Sequence, residues 1–365
     1  FSLLSIMQIK IKLLRFLRLY IYFFTIVLFI IFFSTAILKA NSFKVSNLEI
    51  SEPFELNFDK NKVIDRGFKL AFINLISMIT TSGDKKKIQN TSLKVIKGMV
   101  DSFTISKEKF IDETYYANID VVFNKKNTLF FLEKKNIFPS IPFKNKVLLI
   151  PIIIDLEKDN LFLFSENDFY NKWNIENENF HLLEYLLPSE DLDDLNLIQR
   201  NFESIENYDF LELIKKYDLK DYIITIVFKK KNQVRVLSKI NFNNSLKLDN
   251  QNFLNLDLNK IENFNLIMAE LKEIYEDNWK KNNQINTSIK LPLTISVNSN
   301  EYTKIQKLEN SLKEMDLVSQ FDIIKFDNQN SIYRVIYNGS PKNFLNDMKK
   351  KKLVFSLKEK IWKLK

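Results

Sequence analysis

Glu190, Asp191, Asp193 and Asp194 form the densest run of acids in the chain. Carboxylates so close together could do two kinds of chemistry. As oxygen donors they could hold a hard cation such as Ca²⁺, which takes several carboxylate and carbonyl ligands. As a general acid–base pair, Glu190 or Asp191 with a partner carboxylate about 5 to 10 Å away could cleave a polymer across a cleft. Against the metal, the glycine an EF-hand loop requires is missing. Pro188 to Asp191 reads as a loop, with the acids at a helix start where they suit the positive end of the dipole. That structural role is the preferred one, and melting insensitive to chelators would end the metal reading. Glu190, Asp191, Asp193 and Asp194 therefore stand as weak metal candidates only.

Other chemistry is thinly represented. There is one histidine, His181, whereas zinc needs three or four protein ligands and a nucleophilic triad needs a positioned base. His181, beside Phe180, is expected at the surface or in packing. The four glycines, at 67, 83, 98 and 339, are scattered singly, so no phosphate-cradling loop can be built. Trp173, Trp279 and Trp362 each stand next to a lysine and could stack on sugars, but closing a hydrophobic cluster is the preferred role. No cofactor and no catalytic residue is expected, and the chain reads as non-enzymatic.

The elements that would position these residues fall into a leader and three units. Leu19 to Leu38 is a 20-residue run without charge, directly behind Lys10, Lys12, Arg15 and Arg18. Its length suffices to cross a bilayer as a helix, and the basic residues ahead of it keep the N-terminus cytoplasmic. Met7 reads as a start, and Ser34-Thr35-Ala36 or Ala40 as a cleavage site. Residues 1–40 are thus a signal peptide or a membrane anchor. A mature chain beginning at Ile37 or Asn41 would exclude the anchor. Localisation is expected in the periplasm, with tethering to the inner membrane through residues 19–38 if they are retained.

Five of the 54 basic residues lie in that leader, which holds no acid, so the formal charge of +9 falls to +4 beyond it. That is weak as a nucleic-acid footprint, and no nucleic-acid partner is expected. Lys, Asn, Ile and Phe are all read from A/T-rich codons, so the lysine tracts reflect composition. The chain has no cysteine and hence no disulfide framework. An apolar content of 45% with 27% charged residues fits a folded protein.

The fold class expected is α+β. In residues 41–137, a strand at 43–50, a helix at 61–80 with Asp59 or Asn61 as cap, a helix near 92–100, a hairpin of 102–109 with 115–123 and a helix at 127–135 give β-α-α-β-β-α. Phe138 to Pro142 breaks the pattern. Residues 144–240 open with Lys146 to Asp155, a continuous apolar run typical of a strand buried on both faces, in which Pro151 implies an edge or a bulge. Strands and helices follow to Lys239, with helices expected against one sheet. Residues 259–365 carry the long helix 260–281 and then strand, helix, strand, strand, helix, strand, the ferredoxin-like order.

These pieces resemble the proteobacterial secreted domain-of-unknown-function 2066 family. The matching segments are Gly98 to Glu108 leading into Tyr116 to Phe123, the strand Val147 to Ile154 with Pro151, the helix ending at Trp173, Leu187 to Asp194, and the closing Tyr337-x-Gly339 with Trp362 to Leu364. Ser189 and Glu190 depart from the family's Gly-Asp pair. The likeness spans about residues 43 to 364. It implies an envelope protein without known chemistry, and it carries no catalytic residue across; other envelope proteins are the partners expected. The function expected is a periplasmic binding or assembly module. The alternatives are a carboxylate hydrolase of a periplasmic polymer and an inner-membrane complex subunit with a retained anchor.

Overall fold

Apolar residues at spacings of three and four, from Val63 to Ile79, wind into helix α1 (Lys60–Ile79). Asp59 caps it, its Oδ1 accepting from the Asn61 amide at 2.9 Å. The computed structural model describes residues 43–175, 180–286, 289–315, 317–357 and 361–365, so the leader with its run 19–38 lies outside the described residues. Among the described residues no helix is long and apolar enough to cross a membrane. They form a mixed α+β structure with ten α-helices and three sheets.

The first sheet joins β1 (Lys44–Pro53), β2 (Val100–Ile111) and β3 (Thr114–Phe123) in the antiparallel order β1-β3-β2. Strand β3 buries Tyr115, Ala117, Ile119, Val121 and Phe123 against α1. A Cβ on Gly67 would come within 2.8 Å of Ile50 and Ile119 side chains, so glycine lets α1 sit this close to the sheet. Asp112 and Glu113, both at positive φ, close the β2–β3 hairpin in two residues. Helices α2 (Ser82–Ile88), α3 (Leu93–Met99) and α4 (Lys125–Lys134) complete this layer. Helix α2 adds to the expected element order; it buries only Ile88, too little for an apolar stripe.

The middle sheet has β4 (Asn145–Asp155), β5 (Asn160–Phe162), β6 (Leu183–Leu186), β7 (Tyr222–Lys230), β8 (Gln233–Phe242) and β9 (Ser245–Leu254). Its order is β5-β4-β7-β8-β9, with β6 also beside β4. Strand β4 runs parallel to β6 and β7. It is buried on both faces: Val147, Leu149 and Ile153 on one, Leu148, Ile150, Ile152 and Ile154 on the other. The first face is covered by α5 (Asp168–Lys172) and α8 (Ile261–Asn282), the second by α6 (Leu192–Arg200) and α7 (Leu211–Lys215). Helices thus lie against both faces of this one sheet. The long helix α8, grouped from the sequence with residues 259–365, instead seats Phe264, Ile267, Leu271, Tyr275 and Trp279 on the middle sheet.

Pro151 sits where the β4 ladder is open on one side: β6 pairs with residues 145–148 and β5 with 153–155. Fully buried Asn167 fills the interval. Its Nδ2 donates to the Pro151 carbonyl at 3.0 Å, and its Oδ1 accepts from the Phe169 amide at 2.8 Å, capping α5. A residue without an N–H costs nothing at this position.

The third sheet contains β10 (Leu291–Asn298), β11 (Val318–Phe326), β12 (Asn330–Tyr337), β13 (Phe355–Ser356) and β14 (Trp362–Leu364), with helices α9 (Tyr302–Glu314) and α10 (Pro341–Lys350). Its order is β11-β12-β10-β14-β13. The single closing strand expected at 353–357 is two short ones. Strand β14 pairs parallel to β10 and holds β13 at the edge. Polar links join the layers: Ile285 N donates to Pro139 O at 2.7 Å, and Lys125 Nζ to Met315 O at 2.6 Å.

Candidate functional site

Asp191, Asp193 and Asp194 start helix α6. Asp191 is its N-cap, accepting from the Asp193 amide at 2.8 Å. Lys216 then bridges Asp191 and buried Asp194, its Nζ 3.1 and 2.7 Å from their carboxylates. The hydrogen bond from Lys216 holds Asp191 below the usual carboxylate range, and the two acids hold the Lys216 ammonium above its own. An ammonium thus occupies the place a cation would take, and both carboxylates face it instead of each other across a cleft. Among the described residues no group of three or more His, Cys, Asp or Glu side chains is placed to hold a metal. The stacking role fails for Trp173 and Trp279, which are buried; Trp362 is half-buried against Phe344 and Phe355.

A different cluster gathers on α8. Lys272, Glu276 and Lys280, spaced by four, share one flank of the helix and are all buried. Glu276 Oε1 accepts from the amides of Leu182 and Leu183, both at 2.8 Å, and so holds the start of β6. Lys280 Nζ donates to the Ser77 carbonyl of α1 at 2.5 Å, and Asp277 accepts from the amide and hydroxyl of Ser82 at 2.8 and 2.7 Å. Burial pushes the Glu276 carboxyl up and the Lys280 ammonium down. Glu276 Oε2, Tyr185 Oη, Trp173 Nε1 and His181 Nδ1 are buried with no hydrogen-bond partner among the described residues. This set has little signature in the sequence. Its one signal was the Lys-Glu-Lys alternation at fourth positions beside an apolar stripe. The cluster works as a joint: α8 grips the middle sheet through its apolar face and Glu276, α1 through Lys280 and α2 through Asp277.

His181 belongs to the same joint. Burial, then Lys272, Lys280 and Lys85, lowers its pKa from 6.5 to about 4. A folded-state pKa below the unfolded one makes its stabilising share complete above pH 6.5 and progressively lost as pH falls toward 4. Discounted for the part of the ring that reaches solvent, the loss is about 1–2 kcal/mol. Glu276, raised by burial, has the opposite sign: its share is present at low pH and is lost as pH rises through its folded pKa. His181→Leu is therefore expected to retain more of its stability than the parent chain between pH 6.5 and 4. Urea midpoints at pH 7 and pH 4.5 read this directly.

The open site lies between α4 and the β11–β12 edge, where the first and third layers meet. It is a cleft of about 390 Å³ with Leu129, Phe130 and Ile336 among its apolar lining. Phe130 is 55% exposed, with the Lys134 ammonium 4.3 Å from its ring centroid. On the rim, Lys290 is paired with Glu133 at 2.8 Å, whereas the Lys126 ammonium makes no hydrogen bond or ion pair with any described residue. An apolar floor beside a cation suits an apolar or aromatic group next to a carboxylate. It has no local signature in the sequence, because its walls come from residues 126–133 and 290–338.

A scan of protein-family models finds no match to this chain. A search of curated proteins finds none either.

Proposed function

We propose that this chain is an exported bacterial envelope protein, a non-enzymatic binding or assembly module of the periplasm, related to the domain-of-unknown-function 2066 family. On this reading residues 19–38 are its export signal or its tether to the inner membrane. The third sheet is a ferredoxin-like unit widened by one strand. The observation that carries the reading is the cleft between α4 and β11–β12, with its exposed Phe130 and with Lys126, whose ammonium has no partner among the described residues. Its occupant is a segment of another envelope protein that offers an apolar side chain beside an acid.

A photo-crosslinking residue in place of Phe130 tests this in intact cells. One discrete adduct is expected in the envelope fraction, absent when the same residue replaces exposed Tyr302. Lys126→Glu should abolish it. Equal adducts from both positions, or an adduct indifferent to Lys126→Glu, would defeat the reading.

A further inference from the structure

Most sheet edges in this protein are blunted against intermolecular pairing. Strands β1, β2 and β11 carry register shifts. Strands β5, β6 and β13 span only two to four residues. Strand β9 is the exception. Its ten residues pair with β8 in unbroken register, and no strand lies along its outer side among the described residues.

The direction of its free backbone groups follows from the turn. Asn243 and Asn244, both at positive φ, join the Phe242–Ser245 pair as a two-residue hairpin loop. The closing pair of such a loop exchanges hydrogen bonds, so Ser245, Lys247 and Asp249 turn their backbone groups to β8. Leu246, Leu248 and Asn250 therefore aim N–H and C=O at the open side. Leu246 and Leu248 are also more than half exposed.

We propose that β9 is a self-complementary docking edge, and that two copies of this chain pair antiparallel about a two-fold axis through Leu248. In that register Leu248 faces Leu248 of the partner subunit and exchanges both hydrogen bonds with it. Lys247 faces Asp249 of the partner subunit, and Asp249 faces Lys247 of the partner subunit. Both charge pairs fall at non-hydrogen-bonded positions, where side chains across a ladder come closest. The four leucines at positions 246 and 248 merge into one patch on the opposite face. Centring the axis on Leu246 or on Asn250 also uses outward backbone groups, but then neither Lys247 nor Asp249 meets an opposite charge. The pattern of charges thus selects one register and one partner. Lys247 already donates to Asn278 at 2.7 Å, and an ammonium has two further donors. Asp249 uses Oδ2 for Gln251 and keeps Oδ1 for the partner.

The absence of cysteine from the chain makes the test clean. The full chain, in a mild detergent, carries Leu248→Cys or, as a control on the same strand face, Leu254→Cys. On the axis, Cα atoms about 5.5 Å apart lie within disulfide reach, whereas the two copies of residue 254 stand roughly 40 Å apart. Oxidation should link Leu248→Cys into a dimer and leave Leu254→Cys monomeric. Lys247→Glu, or Asp249→Lys with the Asn278 contact intact, should weaken sedimentation-measured association about tenfold, since two pairs turn repulsive at once. The double charge swap should restore it. Equal crosslinking at both cysteines, failure of the double swap to restore association, or a full chain that stays monomeric at millimolar concentration would overturn the proposal.

Discussion

Glu276→Ala is expected to lower the free energy of unfolding by about 3–5 kcal/mol, as removal of one member of a buried charge network does. Three losses coincide. The amides of Leu182 and Leu183 lose their shared acceptor in a buried setting. Lys280, already depressed by burial, loses the nearest opposite charge on its own helix flank. Asp277 does not replace it, because both its oxygens are engaged by Ser82. Glu276→Gln keeps an oxygen in the same place for the two amides and removes only the charge. Its cost is expected at about 1–2 kcal/mol, close to that of weakening one hydrogen-bonded site. Urea denaturation of the two variants at pH 7 separates the effects. Equal losses would mean that the ammonium groups, and not the β6 amides, need Glu276.

The same cluster marks the limit of what the residues disclose in order. Local patterns were legible. The α1 stripe and its Asp59 cap, the β2–β3 hairpin and the apolar run of β4 depend on neighbours within a few positions, and each stands close to where its spacing puts it. Pro151 was legible as a local edge, but not the side chain that fills the gap, since Asn167 lies sixteen residues on. What failed was assignment over distance. Helix α8 has an apolar face that fits a sheet, but nothing in its spacing says which one: it packs on the middle sheet that precedes it and not on the third sheet that follows. Strand β9 is only weakly marked in the sequence, because Ser245 to Leu254 has no β-branched residue and its alternation is half polar on an edge. The acid cluster drew attention by density alone, while the ammonium that answers it, Lys216, follows Asp194 by 22 residues. The cleft between α4 and β11–β12 has no local signature at all.

Trp173→Ala should cost about 3–5 kcal/mol, the range for removing a large aromatic side chain from a packed core. The indole is fully buried at the end of α5, stacked on Tyr275 at 5.9 Å and 24°, with Tyr185 edge-on at 5.4 Å. Its Nε1 has no hydrogen-bond partner among the described residues, so a smaller ring loses packing but no hydrogen bond to any of them. Trp173→Phe is therefore expected to stay folded at a cost of about 1–2 kcal/mol, within the range of partial core truncations. It serves as the measurable variant if alanine unfolds the chain. The same helix is fixed at its other end by Asn167, whose side chain both caps α5 and completes the β4 ladder at Pro151. Trp173 and Asn167 thus hold one short helix from two sides, and five residues cannot move one end without the other. A double-mutant cycle of Trp173→Phe with Asn167→Ala should show a coupling of about 0.5–3 kcal/mol, the range for residues sharing one structural element. Strict additivity would mean that the aromatic cluster and the ladder gap are independent, and that α5 is anchored by its strand contacts alone.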